Sequence, residues 1–182
     1  MSSKYKVGED AIAHFVTFSV VGWIDVFSRE QYKELFVGSL KYCQDNKGLV
    51  LHAWIIMTNH VHLIISSKEN KLENIVRDLK KYTSKQILKA IEENNSESRK
   101  EWMLNIFKYA GKSNANNKEY QFWKQDYHPI ELNTAEKLKQ RLDYLHENPV
   151  RSGLVWESWH YKYSSAIDYY TNETGLLKIE RL

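Results

Sequence analysis

Cysteine, proline and glycine are all scarce in this sequence, which has one, two and seven of them among 182 residues. A single cysteine, Cys43, excludes an intramolecular disulfide and favours a reducing compartment. No apolar run approaches the ~20 residues that a membrane-spanning helix needs, and the first residues do not resemble a secretory signal. We therefore expect a cytoplasmic protein without a membrane partner. The few glycines form no phosphate-binding loop, so we expect no nucleotide cofactor.

Aromatic residues, in contrast, make up 13% of the chain, and the formal net charge is +3. Aromatic rings fill protein cores but can also stack on bases, and a mild positive charge permits nucleic-acid binding without requiring it. The length predicts a single domain over residues 1–182, and no Pro- or Ser-rich linker divides it. Within this domain we place the core at about residues 10–150 and a C-terminal extension at residues 151–182.

Hydrophobic patterning in the first third of the chain predicts a strand, a helix and a hairpin. The β-branched and aromatic run at residues 14–21 is typical of a strand. A capping box at residues 28–31, with Ser28 as the N-cap, predicts the start of a helix that ends near residues 46–48. The strand-like runs at residues 49–57 and 60–66 are separated by two residues, which indicates an antiparallel hairpin.

The rest of the chain continues the alternation of helices and strands. Apolar residues with helical spacing between positions 72 and 91 predict a long amphipathic helix. We interpret residues 111–119 as a loop and residues 120–132 as a fourth strand. A last helix begins at residues 133–136 and should end near Pro149, because proline disfavours helix in the residue before it. The order βαββαβ, with a helix and a tail, predicts an α+β ferredoxin-like sandwich whose antiparallel sheet is covered by helices on one face.

Two histidines flank a valine in the second strand of the predicted hairpin, in the order His60-Val61-His62. Side chains alternate along a strand, so the two imidazoles share a face and can converge on one metal ion. Val61 then points the other way, into the core. A simpler interpretation is a pair of polar residues on a half-exposed strand, since His-x-His often occurs by chance.

Tyr144 and Asn148 are four residues apart on the predicted last helix and therefore share one of its faces. In this arrangement Tyr144 can present its hydroxyl beside a metal ion while Asn148 offers an amide oxygen as a ligand. Taken alone, the two residues are more simply explained by packing and by the end of the helix.

Positive charge clusters on the predicted long helix, where a single acid, Asp78, lies among five cations. The cations are Arg77, Lys80, Lys81, Lys85 and Lys89. Four of them repeat every four residues and form a basic stripe that can follow a phosphate backbone. A solvated helix face explains the stripe equally well. We also predict DNA contacts from Lys112 and Lys118 around the following loop.

Four segments of the chain resemble one known family, at residues 53–62, 122–128, 144–155 and 161–166. The first resembles the core motif of the single-tyrosine HUH transposases, in which a hydrophobic residue separates two histidines. The second is similar to an aromatic and basic strand of one branch, the REP-associated tyrosine transposases. The third resembles the tyrosine helix of that branch with the turn after it, and the fourth resembles the segment that follows. The resemblance covers roughly residues 10–170.

The resemblance implies a ferredoxin-like fold, a divalent ion (Mg or Mn) and single-stranded, hairpin-forming DNA as the substrate. It implies that His60 and His62 hold the metal. It also implies that Tyr144 forms a 5′-phosphotyrosine, through which strands are cleaved and rejoined. Asn148 corresponds to the residue one helical turn beyond the tyrosine that completes the metal site. Within the resembling segments, Lys124 and Arg151 are predicted DNA contacts.

Several alternatives stay open. Tyr120 and Tyr127 are further candidate nucleophiles, although the helix context favours Tyr144. Many relatives have a proline where this chain has Thr58, which alters the stiffness of the hairpin turn more than the chemistry. The chain can also be interpreted as a non-catalytic nucleic-acid-binding domain, as a relaxase or replication initiator, or as a domesticated relative. A homodimer, in which the tyrosine serves either its own or the partner's site, is open as well.

Overall fold

The computed structural model describes residues 12–68, 72–113, 119–125 and 128–182. Its strands are β1 (His14–Ser19), β2 (Leu49–Ile56), β3 (His60–Ser67) and β4 (Ile130–Glu131). Its helices are α1 (Glu30–Asn46), α2 (Leu72–Glu93), α3 (Lys100–Lys112), α4 (Ala135–Arg151) and α5 (Ala166–Tyr170), with 3₁₀ turns at Val21–Trp23, Val26–Ser28 and Ser158–His160. No helix in these ranges is long and apolar enough to cross a membrane.

The four strands form one antiparallel sheet in the order β2-β3-β1-β4. With α1 and α2, this order confirms the predicted ferredoxin-like arrangement, to which α3 is added between α2 and β4. The register places Thr17 opposite His62 and Ser19 opposite His60. Residues opposite each other in neighbouring strands point to the same side, so these four side chains share one face of the sheet.

Both faces of the sheet are covered. On one face, the ring of Phe18 in β1 lies 6.4 Å from that of Phe36 in α1, and the ammonium of Lys80 in α2 lies 5.5 Å from the Phe18 ring. On the other face, the ring of Phe15 lies 6.2 Å from that of Tyr144 in α4. We call the side with Phe18 the helix-pair face and the side with Phe15 the histidine face. α1 and α2 cover one face as predicted, whereas α4 lies on the opposite one.

The central strands are almost entirely apolar because they are covered on both sides. All eight residues of β2 are buried, and in β3 only His60 is partly accessible. Trp54 of β2 and Val61 and Leu63 of β3 have no accessible surface. Near-continuous apolar strands are expected in a sheet that is buried on two faces. The two imidazoles of β3 are therefore exceptions to the pattern of their own strand.

The C-terminal extension covers the outer edge of β2. The amide of Ile56 donates to the carbonyl of Tyr163 at 2.9 Å, and the amide of Ser165 donates to the carbonyl of Trp54 at 2.9 Å. An uncovered edge strand offers its amides and carbonyls to other chains, and such a covering segment prevents this. The extension therefore completes the sheet.

The fourth strand is much shorter than the predicted residues 120–132. Among the described residues of this stretch, only Ile130–Glu131 pairs with β1, and an isolated bridge joins Trp123 to the residue after β1. Pro129 has no amide hydrogen and cannot donate to a strand ladder, which limits where pairing can begin. Phe122 and Trp123 are buried in the core, so packing explains the aromatic character that suggested a strand.

The predicted N-cap of α1 is wrong, whereas α4 begins within the predicted residues 133–136. The Ser28 hydroxyl donates to the carbonyl of Asp25 at 2.8 Å within a 3₁₀ turn, and Arg29 takes the N-cap position of α1. The Ser28 hydroxyl therefore bonds within a local turn and does not cap the amides of α1. Thr134 caps α4, since its hydroxyl accepts from the amide of Lys137 at 3.2 Å.

α4 ends at Arg151, two residues beyond Pro149, near which the sequence predicts its end. The amide of Leu154 donates to the carbonyl of Pro149, and the amide of Gly153 donates to that of Val150, both at 2.9 Å. These two bonds form a Schellman motif, which requires a left-handed residue such as Gly153 with its φ of +69°. Pro149 cannot donate to the carbonyl of Leu145, but α4 continues for only two residues beyond it, so the interruption affects only the end of the helix.

Our predictions omit α3, although its pattern is visible in the sequence. Met103, Phe107 and Gly111 recur every four residues and are buried in the structure. A Cβ atom on Gly111 would lie 2.5 Å from the carbonyl oxygen of Glu119. Only glycine permits this close approach of α3 to the segment that follows it.

A buried carboxylate joins the start of α3 to the loop before α1. Glu97 is 3% exposed and accepts hydrogen bonds from Arg99 Nε at 2.9 Å and Arg29 Nε at 3.2 Å. The hydrogen bond from Arg99 is the main cause that lowers the pKa of Glu97 to about 2. Arg99 also donates to the carbonyl of Asp25, whose carboxylate accepts from the Thr58 hydroxyl at 2.7 Å. The network therefore reaches the turn between β2 and β3.

We expect Glu97→Ala to lower the free energy of unfolding by about 3 kcal/mol, because it leaves two guanidinium groups without their buried partner. The pKa of Glu97 is about 2 in the folded protein against an ordinary value of 4.5. Its contribution is thus fully present above pH 4.5 and is lost as the pH falls towards 2. Urea unfolding at neutral and acidic pH measures both effects.

The matched control is Asp45→Ala, which removes the exposed ion pair of Lys41 and Asp45. Such a pair contributes less than about 1 kcal/mol. Equal losses of stability in the two variants would contradict the role assigned to Glu97.

Candidate active site

The two histidines of β3 lie side by side on the histidine face. The centroids of the His60 and His62 rings are 4.7 Å apart, with an angle of 70° between the ring planes. Val61 between them is fully buried on the opposite face. Strand alternation thus brings the imidazoles together as the sequence predicts.

Hydrogen bonds orient both imidazoles. His62 Nδ1 lies 2.7 Å from the Thr17 hydroxyl on β1, and His60 Nδ1 lies 2.7 Å from Asn59 Oδ1. The amide oxygen of Asn59 can only accept, so the proton of His60 is on Nδ1 and the lone pair is on Nε2. His62 Nε2 is buried without a hydrogen-bond partner. Both rings therefore have their Nδ1 atoms engaged, as in metal-binding histidines whose second nitrogen is held by a neighbouring group.

Both imidazoles are neutral at physiological pH. Burial lowers the pKa of His60. For His62, burial is the largest cause of a pKa near 3, followed by the charges of His60 and Arg141. A neutral imidazole is the form that binds metal ions.

The donor set fits a divalent cation in an incomplete protein shell. Two neutral imidazoles offer nitrogen ligands, and the buried Nε2 of His62 lacks any other partner. Within the described residues, no cluster of three or more His, Cys, Asp and Glu is available to hold a metal ion. Asn148 is half-buried one turn beyond Tyr144 on α4. Its role as a ligand remains a prediction, and the remaining ligands would be water and substrate oxygens.

Tyr144 reaches the histidine pair from α4 of the same chain. Its ring centroid lies 5.4 Å from that of His62, and its side chain is 38% exposed. The next two residues, Leu145 and His146, are fully buried and hold this turn of α4 against the protein. The tyrosine is thus both adjacent to the imidazoles and accessible to a large substrate.

Two arginines of α4 lie on either side of the tyrosine. The guanidinium of Arg141 is 5.4 Å from the ring of Phe15, and that of Arg151 is 5.6 Å from the ring of Tyr144. Arg141 also contributes to the low pKa of His62. Our sequence predictions include Arg151 but miss Arg141. The spacing of three, four and three residues from Arg141 through Tyr144 and Asn148 to Arg151 is the helical signal that could have revealed it.

Trp23 has an unusual backbone beside the histidine pair. Its φ is +55°, and every other non-glycine residue in the described part of the chain has a negative φ. Gly22, directly before it, has a φ of +67°. A bulky residue in this left-handed region costs on the order of 1–3 kcal/mol, and such strain clusters at functional sites. The Trp23 ring meets that of His60 edge-on at 6.2 Å, and the ammonium of Lys124 lies 3.9 Å from the indole centroid.

A family model described as "Transposase IS200 like" matches residues 13–118. The chain belongs to the IS200-like transposase family. The match confirms the family inferred from the sequence, and it includes both histidines but ends before α4. No curated protein matches the chain.

Two solved structures are similar to this transposase. One is a REP-associated tyrosine transposase bound to a REP hairpin, with a TM-score of 0.62 and 16% identity over 100% of this chain and 99% of the other. The second is a putative transposase from Deinococcus radiodurans R1, with a TM-score of 0.43 and 15% identity over 81% of this chain and 94% of the other. The first likeness shows that the two proteins share a fold.

The basic stripe of the transposase lies on α2, on the opposite side of the sheet from the histidines. Arg77 is paired with the adjacent aspartate at 2.9 Å, and Lys80 donates to the carbonyl of Lys124 at 3.1 Å. Lys81 and Lys85 are exposed. DNA contact by this stripe remains a prediction, and it requires DNA on the helix-pair face.

The other predicted residues lie away from the pair or outside the described ranges. Lys118 and Tyr127 fall outside those ranges, and Lys112 is exposed at the end of α3. Burial is the first cause that raises the pKa of Tyr120, followed by the charge of Glu92 on α2. Tyr120 thus contacts α2, which covers the helix-pair face. Among the described tyrosines that we considered as nucleophiles, Tyr144 is the one beside the imidazoles.

We expect Thr17→Val to weaken Mn²⁺ binding by about tenfold to a hundredfold, because it removes the hydroxyl that orients His62 while keeping the shape of the side chain. Isothermal titration calorimetry measures the affinity. Thr171→Val is the matched control, since Thr171 makes a local hydrogen bond to the carbonyl of Ile167 outside the site. Equal affinities for the wild type and Thr17→Val would show that this hydrogen bond does not support a metal site.

Proposed function

We propose that this transposase cleaves and rejoins single-stranded DNA at hairpin-forming sequences, through a 5′-phosphotyrosine on Tyr144. The observation that carries the proposal is the ring of Tyr144 lying 5.4 Å from that of His62 in the same chain. Membership of the IS200-like transposases supports DNA transfer as the activity. The neighbour that is bound to a REP hairpin supports a hairpin as the substrate.

The proposed reaction is a transesterification at phosphorus. The Tyr144 oxygen attacks the scissile phosphate, a new O–P bond forms, and the bond from phosphorus to the 3′ oxygen breaks. The phenol loses its proton as it attacks, and the departing 3′ oxygen gains one. Attack by another 3′ hydroxyl on the phosphotyrosine reverses these steps and joins a new strand. One phosphodiester-type bond forms for each one broken, so the reaction needs no nucleotide cofactor.

His60 and His62, with Asn148 beyond them, would hold the divalent ion. When bound, Mg²⁺ or Mn²⁺ supplies positive charge to a non-bridging phosphate oxygen. Imidazole nitrogen suits Mn²⁺ better than Mg²⁺, which prefers oxygen ligands, so we propose Mn²⁺ as the tighter-binding ion. The hydrogen bonds of the two Nδ1 atoms keep the ligating nitrogens oriented before any ion arrives.

Arg141 and Arg151 bind and orient the DNA backbone around the tyrosine in this proposal. Guanidinium groups form bidentate hydrogen bonds to phosphate, and these two flank Tyr144 along one face of α4. Holding the phosphate in line with the attacking oxygen contributes to the rate by positioning alone. Because Tyr144 and His62 are adjacent within one chain, the arrangement favours a tyrosine that serves its own subunit, whether or not a homodimer forms.

We expect Tyr144→Phe to abolish the covalent adduct, a loss of about 10³-fold or more, since the nucleophilic oxygen is removed and the ring is kept. The assay incubates the protein with hairpin DNA and Mn²⁺ and detects a denaturation-resistant protein–DNA species by electrophoresis. Tyr120→Phe and Tyr127→Phe are matched controls that should retain the adduct. An adduct of normal yield in Tyr144→Phe would move the nucleophile elsewhere, and its absence in the wild type would favour a domain that binds DNA without cutting it.

A separate prediction concerns the basic stripe of α2. Joint replacement of Lys81 and Lys85 by Ala should weaken binding of all sequences alike. It should also reduce the slope of log affinity against log salt by about 1.4, or ~0.7 for each phosphate of a single strand that the protein no longer neutralises. Fluorescence anisotropy at several salt concentrations measures this slope. An unchanged slope would show that Lys81 and Lys85 do not contact DNA phosphates.

A further inference from the structure

The ring of Trp23 is exposed although its backbone is firmly held. The side chain is 55% exposed, whereas the neighbouring Ile24 and Val26 are buried. The Trp23 amide donates to the carbonyl of Val20 at 3.1 Å, and its carbonyl accepts from the Asn59 side chain at 3.4 Å. The core therefore does not use most of this ring, yet the chain fixes its location.

The loop that carries Trp23 is wedged between α3 and the hairpin turn. A Cβ atom on Gly22 would lie 3.4 Å from Ile106 of α3, so the backbone passes close to that helix. On the other side, Asn59 bonds both to the Trp23 carbonyl and to His60. Two elements thus hold Trp23 in a conformation that a tryptophan seldom adopts.

The surroundings of the ring suit a nucleotide of single-stranded DNA. Indole faces stack on unpaired bases, and nearby cations bind the backbone of the same strand. The Lys124 ammonium lies over one face of the indole, 3.9 Å from its centroid, which leaves the other face for a base, and the ring of His60 meets the indole edge-on at 6.2 Å. A base on this ring would place its own phosphate close to the histidine pair.

We propose that Trp23 is a stacking platform for one unpaired base next to the scissile phosphate, and that Lys124 contacts the phosphate of that nucleotide. The inference rests on the proposed function in one respect, namely that the cleaved strand passes His60. The platform positions the strand and takes no part in bond breaking. Stacking tolerates any base, so it secures an unpaired nucleotide without reading its identity.

The test measures binding separately from cleavage. The probe is a fluorescein-labelled DNA hairpin with single-stranded flanks of about ten nucleotides on each side. Fluorescence anisotropy gives its affinity for the full chain with Tyr144→Phe, which prevents turnover during the measurement. A series of probes, each with one abasic site in a flank, locates the nucleotide whose base contributes to binding.

We expect Trp23→Asn to weaken binding about tenfold, within the range found for removing one stacked base. Asparagine tolerates the left-handed backbone, so the variant should fold, which its melting temperature checks. In the protein that carries Tyr144→Phe alone, one abasic position should weaken binding of the probe about tenfold. In the protein that also carries Trp23→Asn, the same abasic position should not change the affinity. Trp23→Phe, which restores a ring, should recover most of the affinity and of the abasic penalty.

The control is Tyr82→Ala on α2, where a ring of similar exposure, 57%, lies on the helix-pair side. This variant should keep the full abasic penalty. Identical abasic penalties with and without the Trp23 ring, unchanged affinity of Trp23→Asn, or no binding of the probe at all would each overturn the inference. If the wild type forms the adduct but the abasic penalty does not depend on the Trp23 ring, the proposed function stands and the platform does not. If the abasic penalty depends on the Trp23 ring but no adduct forms, the platform stands and the proposed chemistry does not.

Discussion

Side-chain alternation along β3 is the constraint on which the candidate site depends. Because β3 is buried between two layers, a slip of one residue would turn both imidazoles into the core beneath α1 and bring Val61 and Leu63 to the histidine face. The hydrogen bond between Thr17 and His62 joins β1 to β3 on the correct face. Thr58 contributes a hydroxyl that fixes the adjoining turn to Asp25. A hydrogen-bonded turn thus restrains the hairpin where a proline would restrict it covalently.

The position of the tyrosine helix depends on a second buried contact. His146 Nε2 lies 2.9 Å from the hydroxyl of Ser165, which also accepts from the amide of Trp54 at 2.9 Å. Burial lowers the pKa of His146 to about 4, so the imidazole is neutral at physiological pH. Tyr144 lies two residues before this histidine. The contact between the helix and the covered edge of β2 therefore fixes where the tyrosine ring meets His62.

Features with a local signal could be predicted from the sequence, and features set by distant contacts could not. The hairpin, the shared face of the two histidines and the helical position of Tyr144 follow from periods of two and of 3.6 residues. Local spacing places Arg141 on the same helix face as Tyr144, but that this face meets the histidine pair depends on contacts between α4 and distant parts of the chain. The left-handed Trp23 depends on contacts from α3 and from the hairpin turn. Residues 120–132 misled the prediction because buried loop aromatics and strand aromatics have the same composition.

The covering of β2 by residues 163–165 has a consequence for the order of events during protein synthesis. These residues leave the ribosome after α4, yet His146 bonds to one of them. A nascent chain can therefore form the sheet and its first helices while the helix that bears the tyrosine still lacks its anchor. His60 and His62 would already lie side by side on β3 at that stage. Translation itself would thus delay completion of the candidate site, because the helix that holds Tyr144 beside His62 is anchored only after Ser165 has been synthesised.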